Sequence, residues 1–262
     1  MVTSTAIEAA NVSFGYDGGV TLTNLSFTVG AGEMVALIGP NGSGKTTLLK
    51  VLLGFLQPSS GAIALFNSPL SSYAPKERAK QIAYVSQQPT SSFPLTVFDL
   101  VALGRYPYAS RFGLSAEDRA AVEDALERTH SKPLSARRFS TLSGGEQQKV
   151  LIARAMAQSA KILLLDEPTL HLDLRYQVQI LAALRELCSQ KQVTVITVLH
   201  DINLVSIFAD KALLLSAGRV YAFGPAKEVV SENTIKEQLA VDIKTITDPE
   251  TGVRYFVPRV PS

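Results

Sequence analysis

Apolar and polar positions along the chain fall into two periods. They alternate over the first thirty residues, in "AIEAANVSFGY" and then "LTNLSFTV", with Leu25, Phe27 and Val29 on one face, which predicts strands. "EMVALIGP" is a short apolar run ending in glycine, the pattern of a buried strand, and "GKTTLLKVLLGF" behind it has helical spacing. "QIAYVSQQ" predicts another short strand. The pattern turns helical over Thr96–Gly104 and again over Ser115–Thr129, where Ser115 and Asp118 have the spacing of a capping box. "KILLLDEP" and "QVTVITVLHD" read as buried strands, the second β-branched as parallel strands tend to be. "KALLLSAGRVYAFG" predicts two strands around a short turn containing Gly218. "VDIKTITDPETGVRYFVP" predicts a closing hairpin, about residues 241–258, with Pro249 and Gly252 in its turn. Strands alternating with helices imply an α/β core with a parallel sheet. A helical stretch from about residue 90 to 160 interrupts that core like a subdomain.

Composition narrows the functional classes. The 262 residues suit one large domain or a domain with an insertion, and a hydrophobic fraction of 46% supplies a sizeable core. The formal net charge is only +2 and no run of five like charges occurs, so the concentrated basic face of a nucleic-acid binder is not expected. Cys188 is the single cysteine, which excludes an internal disulfide and a cysteine metal cluster and points to a reducing compartment. The start "MVTSTAIEAA" lacks the basic and apolar parts of a secretory signal. No apolar run approaches the roughly 18 residues that span a bilayer, so a membrane role is expected through a partner.

"GPNGSGKTT" matches the phosphate-loop pattern: Gly39, Pro40, Asn41, Gly42, Ser43, Gly44, Lys45, Thr46, Thr47. Its glycines let the backbone N–H groups curl inward around phosphate oxygens, and the helix behind adds the positive end of its dipole. Lys45 reaches the outer phosphates and the Thr46 hydroxyl suits Mg²⁺. The other reading is a tight strand–helix turn with an exposed lysine. In a parallel sheet, ligands gather beyond the carboxyl ends of the strands. There "MVALI" delivers Gly39, "IAYVS" delivers Gln87, "ILLL" delivers Asp166 and Glu167, and "VTVITVL" delivers His200. Alone, Gln87 reads equally as a surface amide and His200 as a hydrogen-bonded core histidine. Asp166 and Glu167 after four apolar residues suit a carboxylate that holds Mg²⁺ through water and one that deprotonates an attacking water. The co-occurrence of all four favours triphosphate chemistry.

A second loop, "TLSGGEQQKV", resembles another anion site. Ser143 and Glu146 have capping-box spacing, so "SGGE" starts a helix, and a helix start preceded by glycines also holds anions. With "GPNGSGKT", Gln87, "LSGGEQ", "ILLLDEPT", "HLD" around Asp173 and His200 in that order over nearly the whole chain, the sequence strongly resembles the nucleotide-binding subunits of ATP-binding-cassette (ABC) transporters.

That resemblance implies a phosphate-loop NTPase core with N-terminal antiparallel strands and an inserted helical subdomain, all one ABC ATPase domain over residues 1–262. It implies ATP and Mg²⁺. Thr46, Gln87 and Asp166 would contact the metal or its water shell, Glu167 would be the general base, and His200 would hold the γ-phosphate and water in register. Tyr16 would stack on adenine. Two copies would close head to tail on two ATP molecules, each between Lys45 of one chain and Ser143, Gly144, Gly145 and Glu146 of the other, with Asp173 reaching across. "TVFDLVALGRYPY" and the short C-terminal hairpin resemble the importers of iron–siderophore, haem and vitamin B12. The implied partners are a second copy, a permease dimer and, indirectly, a substrate-binding protein, with the chain peripheral on the cytoplasmic face of the membrane. Zinc or manganese uptake and a soluble ABC protein without a permease are the other readings. A GTPase or small-molecule kinase is disfavoured because "NKxD" is absent and "LSGGE" has no place in either. The sequence departs from the pattern near Gln148 and Lys149, where the family often has arginine, and at Leu170, where a small or polar residue is more usual.

Overall fold

The computed structural model describes residues 4–16, 19–87, 94–109, 113–170 and 172–259. Gln88, the start of the expected helical subdomain at residues 90–93, Arg111 and His171 of "HLD" lie outside the described residues. The chain folds as two compact units, Met1–Ser72 with Thr194–Ser262, and Tyr73–Val193. In chain order the elements are β1 (Thr5–Tyr16), β2 (Gly19–Gly30), β3 (Met34–Ile38), α1 (Lys45–Leu52), β4 (Ser60–Leu65), β5 (Ser68–Pro69), α2 (Pro75–Gln81), β6 (Ile82–Val85), α3 (Val97–Ala102), α4 (Ala116–Arg128), α5 (Gly144–Ala157), β7 (Ile162–Leu165) and α6 (Leu174–Lys191). They continue with β8 (Thr194–Val198), α7 (Ile202–Phe208), β9 (Lys211–Ser216), β10 (Arg219–Pro225), α8 (Ala226–Val229), α9 (Glu232–Leu239), β11 (Ile243–Thr247) and β12 (Arg254–Pro258). No helix among the described residues is long and apolar enough to cross a membrane.

In the first unit the N-terminal strands form an antiparallel sheet in the order β2-β1-β4-β5. The alternation read from the sequence sets its buried face: Ile7, Val12, Leu25 and Val29 are fully buried. The core of the unit is β3, with β8 parallel on one side (Leu37↔Val198) and β9 parallel on the other (Leu37↔Leu213). All five residues of β3 and all five of β8 are buried, as strands covered on both faces require. β9 and β10 form the expected hairpin through Ala217 and Gly218, both at positive φ. The closing hairpin β11–β12 also forms, with the Asp248 carboxylate accepting from the Glu250 N–H and the Thr251 hydroxyl in its turn. Asn203 of α7 clamps it through both backbone groups of Phe256.

In the second unit β6 and β7 pair in parallel, Val85↔Leu165. The Ser115–Asp118 capping box is present at the start of α4, with both reciprocal bonds. Beyond α3, Leu103–Tyr108 continue as a 3₁₀ helix with Pro107 inside it. Two elements carry little sequence signal. α2 buries none of its side chains, and β4 buries only Ile63 and Leu65. α2 presents no apolar stripe, and β4 offers only the short alternation of Ile63 and Leu65.

Candidate functional site

The chain leaves β3 at Gly39 into a loop that only glycine permits. Gly39 has φ 143°, and a Cβ there would lie 2.1 Å from the Leu215 carbonyl oxygen. Gly44, at φ 101°, caps α1 without a side-chain hydrogen bond, and the first turn of α1 holds no acidic residue. The helix therefore starts with N–H groups open to an anion. The Ser43 hydroxyl is buried without a hydrogen-bond partner. Lys45 is buried and its Nζ donates to the carbonyls of Gly39 and Pro40 at 2.9 and 3.0 Å, so its ammonium lies folded over the loop. Asn41, Gly42 and Thr46 are exposed, and Thr47 packs inward. A glycine cradle, an orphaned hydroxyl and a lysine at its mouth fit a phosphate chain.

His200 follows the end of β8, the strand paired with β3, so the parallel register sets it at the same sheet edge as the loop. Its side chain is exposed, which removes the core-histidine reading. Tyr16 ends β1 with its ring edge against Phe14 at 4.9 Å and 49% of its surface open.

In the second unit the parallel ends of β6 and β7 bring together Gln87, Asp166 and Glu167. The Asp166 N–H donates to the Val85 carbonyl at 2.9 Å, which extends the ladder one residue past β7. Asp166 is buried, at 2% exposure. The Tyr84 hydroxyl hydrogen-bonds to it and is pushed up to about 12, by burial first and then by the Asp166 charge. Tyr84 thus stays a donor and orients the carboxylate. Gln87 Nε2 donates to Glu167 Oε2 at 2.8 Å, so Gln87 is not an idle surface amide. Glu167 itself has left-handed backbone at φ 51°, a conformation that strains a non-glycine residue by on the order of 1–2 kcal/mol.

A separate cavity of about 460 Å³ in the same unit is lined by Ser143, Gly145, Glu146, Lys149, Leu172, Asp173 and Tyr176. Ser143 caps the 14-residue α5, and Gly144 forms its first turn with Gly145. Asp173 caps α6, its Oδ1 accepting from the Tyr176 N–H at 3.1 Å. Lys149 lies with Nζ 3.9 Å from the centre of the Tyr176 ring, a cation–π contact.

A family model described as "ABC transporter" matches residues 22–170. This chain belongs to the ABC transporter family. The hemin import ATP-binding protein of Thermobifida fusca is 37% identical over 96% of this chain and 88% of its own length. The iron(3+)-hydroxamate import ATP-binding protein of Bacillus subtilis is 36% identical over 94% and 92%. Among solved structures, a chain from a metal-chelate type ABC transporter in an inward-facing conformation superposes with TM-score 0.84 at 31% identity, over 98% of both chains. A dimeric bacterial ABC transporter cassette superposes with TM-score 0.76 at 30% identity, over 84% of this chain and 98% of its own. As an ABC cassette the chain binds and hydrolyses ATP.

The structure adds residues that the motifs of an ABC cassette do not name. Tyr84 reaches Asp166 from the neighbouring strand, and its place two residues before the end of "IAYVS" was the only sequence trace of it. Tyr176, in the first turn of α6, and Leu172, just before the helix, line the second cavity. Arg105, inside "LGRYPY", is buried at 4% exposure, while its neighbours Leu103 and Tyr106 stand out at 51% and 76%.

Proposed function

We propose that this chain is the ATP-hydrolysing subunit of an importer for a metal chelate of the siderophore, haem or corrinoid class, bound to a permease at the cytoplasmic face of a membrane. The importer assignment rests on likeness over nearly the whole length to import subunits for hemin and iron hydroxamate. The observation that carries the chemistry is the Gln87–Glu167 pair beside a buried, oriented Asp166.

Each residue has a physical task. The loop Gly39–Thr47 wraps the phosphate chain with inward N–H groups, and Lys45 exchanges its two carbonyl partners for phosphate oxygens. The open face of Tyr16 suits stacking on adenine. The oxygens of Thr46, Gln87 and Asp166 are donors of the kind Mg²⁺ takes, with Asp166 acting through water. When bound, Mg²⁺ offsets the charge that builds on the phosphates during transfer. Glu167 takes the proton of the attacking water while Gln87 holds its second oxygen in place. His200 fixes the water and the terminal phosphate in line. Ser143, Gly144 and Gly145 meet the terminal phosphate held by a second copy of the chain, and Asp173 contacts that copy. ATP thereby joins two copies, and its hydrolysis releases them. Leu103 and Tyr106, exposed on a segment anchored by buried Arg105, are the surface offered to the permease.

The test uses the permease that co-purifies with this chain, rebuilt with it in vesicles. ATP hydrolysis should rise on addition of a binding protein loaded with a metal chelate, haem or corrinoid. Stimulation by hydrophobic compounds alone, with no binding protein required, would overturn the importer reading.

A further inference from the structure

The cavity that meets a phosphate under the reading above already holds negative charge. Glu146 folds back on the start of its own helix. Its Oε2 accepts from the Ser143 N–H at 2.8 Å and from the Ser143 hydroxyl at 2.9 Å. The Ser143 oxygen in turn accepts from the Glu146 N–H at 3.4 Å. The hydroxyl proton that would meet a phosphate is therefore committed to a carboxylate. That carboxyl is held below the usual range, first by the Ser143 N–H and then by the hydroxyl, so it is ionised at neutral pH. Asp173 lines the same cavity as a second carboxylate, and Lys149 supplies one ammonium, turned onto the Tyr176 ring. Outside the lining, Arg137 Nη1 lies 3.7 Å from Glu146 Oε1.

We propose that Glu146 is an electrostatic gate on dimer closure: its carboxylate competes with the terminal phosphate of the second copy's ATP for the N–H and hydroxyl of Ser143. This rests on the reading that Ser143 meets the partner copy's nucleotide. Two anions cannot share one hydroxyl proton. As the interface closes and water leaves, their repulsion strengthens because the local dielectric falls. Closure therefore requires the carboxylate to release Ser143, and Arg137, already beside Oε1, is the group that receives it. The gate raises the ATP concentration needed to join two copies. It leaves the start of α5 intact, because a glutamine at the same position also completes a capping box.

The experiment measures dimerisation by sedimentation during MgATP titration, with Glu167→Gln in every chain to stop turnover. Adding Glu146→Gln should lower the ATP concentration for half-dimerisation about tenfold, equivalent to about 1.4 kcal/mol. Thermal unfolding of the variant should fall only slightly, since the cap remains and only the attraction of the carboxylate to the helix start is lost. Arg137→Ala should shift the midpoint the other way, because the displaced carboxylate loses its second partner. An unchanged or raised midpoint for Glu146→Gln overturns the gate, and so does an Arg137→Ala midpoint at or below the parent's should Glu146→Gln misfold. Ser143→Arg separates the two levels. Its failure to dimerise leaves the shared-site reading standing whatever Glu146→Gln does, whereas normal dimerisation overturns that reading and the gate with it.

Discussion

At the scale of single residues, the proposed base Glu167 sits in a strained backbone. Its φ of 51° is a conformation that a glutamate adopts only where its surroundings hold it, and the Gln87 amide at 2.8 Å is one visible part of that hold. If Glu167 is the base, Glu167→Gln should still bind MgATP while turnover falls by at least about a hundredfold, since an amide cannot take the proton. Lys45→Ala should show the reverse emphasis, losing nucleotide affinity because the ammonium over the loop is gone. Nucleotide binding and single-turnover hydrolysis separate the two, and near-normal hydrolysis by Glu167→Gln would remove it from the role. Tyr84 works at the same scale. Its hydroxyl, kept protonated by burial and by the Asp166 charge, is a permanent donor to the carboxylate.

At the scale of elements, a buried ion pair fastens parts of the second unit together. Arg105 Nε donates to Asp118 Oδ1 at 2.8 Å, and Arg105 Nη1 donates to the Ala157 carbonyl and the Ser159 hydroxyl, both at 2.9 Å. The Tyr108 ring lies 4.1 Å from the guanidinium. One side chain thus ties the 3₁₀ segment that displays Leu103 and Tyr106 to the start of α4 and to the end of α5. Asp118→Ala would leave a buried guanidinium without its counter-charge, a loss of about 3–5 kcal/mol. That corresponds to a fall in melting temperature of roughly 6–20 °C for a chain of this size. A fall of under 1 °C by calorimetry would mean that the pair is replaceable. The sign of the pH dependence follows from the lowered Asp118 value, caused first by the Arg105 hydrogen bond. The stabilisation is present above the ordinary value of 3.8 and is lost as pH falls through the lowered one. The parent should therefore lose stability more steeply in acid than Asp118→Asn.

At the scale of the whole molecule, the two anion loops of an ABC cassette serve different nucleotides if two copies share their sites. A mixed dimer decides it. One chain carries Lys45→Ala and the other Ser143→Arg, both with Glu167→Gln. Shared sites put both defects into one site and leave the other intact, so one ATP is trapped per dimer. Loops that serve their own chain put one defect into each site, and none is trapped. Quantifying nucleotide in a verified mixed dimer gives the answer, and a count of zero overturns the shared arrangement.

Local rules made much of this protein legible from its sequence. The capping boxes at Ser115 and Ser143 need only residues three apart. The buried strands β3, β7 and β8 need only their apolar runs, and the phosphate loop needs only its glycines and Lys45. α2 stayed illegible because a helix that buries nothing leaves no periodic trace. What tertiary structure decided are meetings between residues far apart in the chain. Gln87 and Glu167 are 80 positions apart, and Arg105 reaches Ser159 across 54. Such contacts depend on strand register and helix packing, which no motif spells out. The Glu146 cap lies between the two cases. Its three-residue spacing was visible, but only the fold sets Asp173 and Lys149 on the walls of the same pocket.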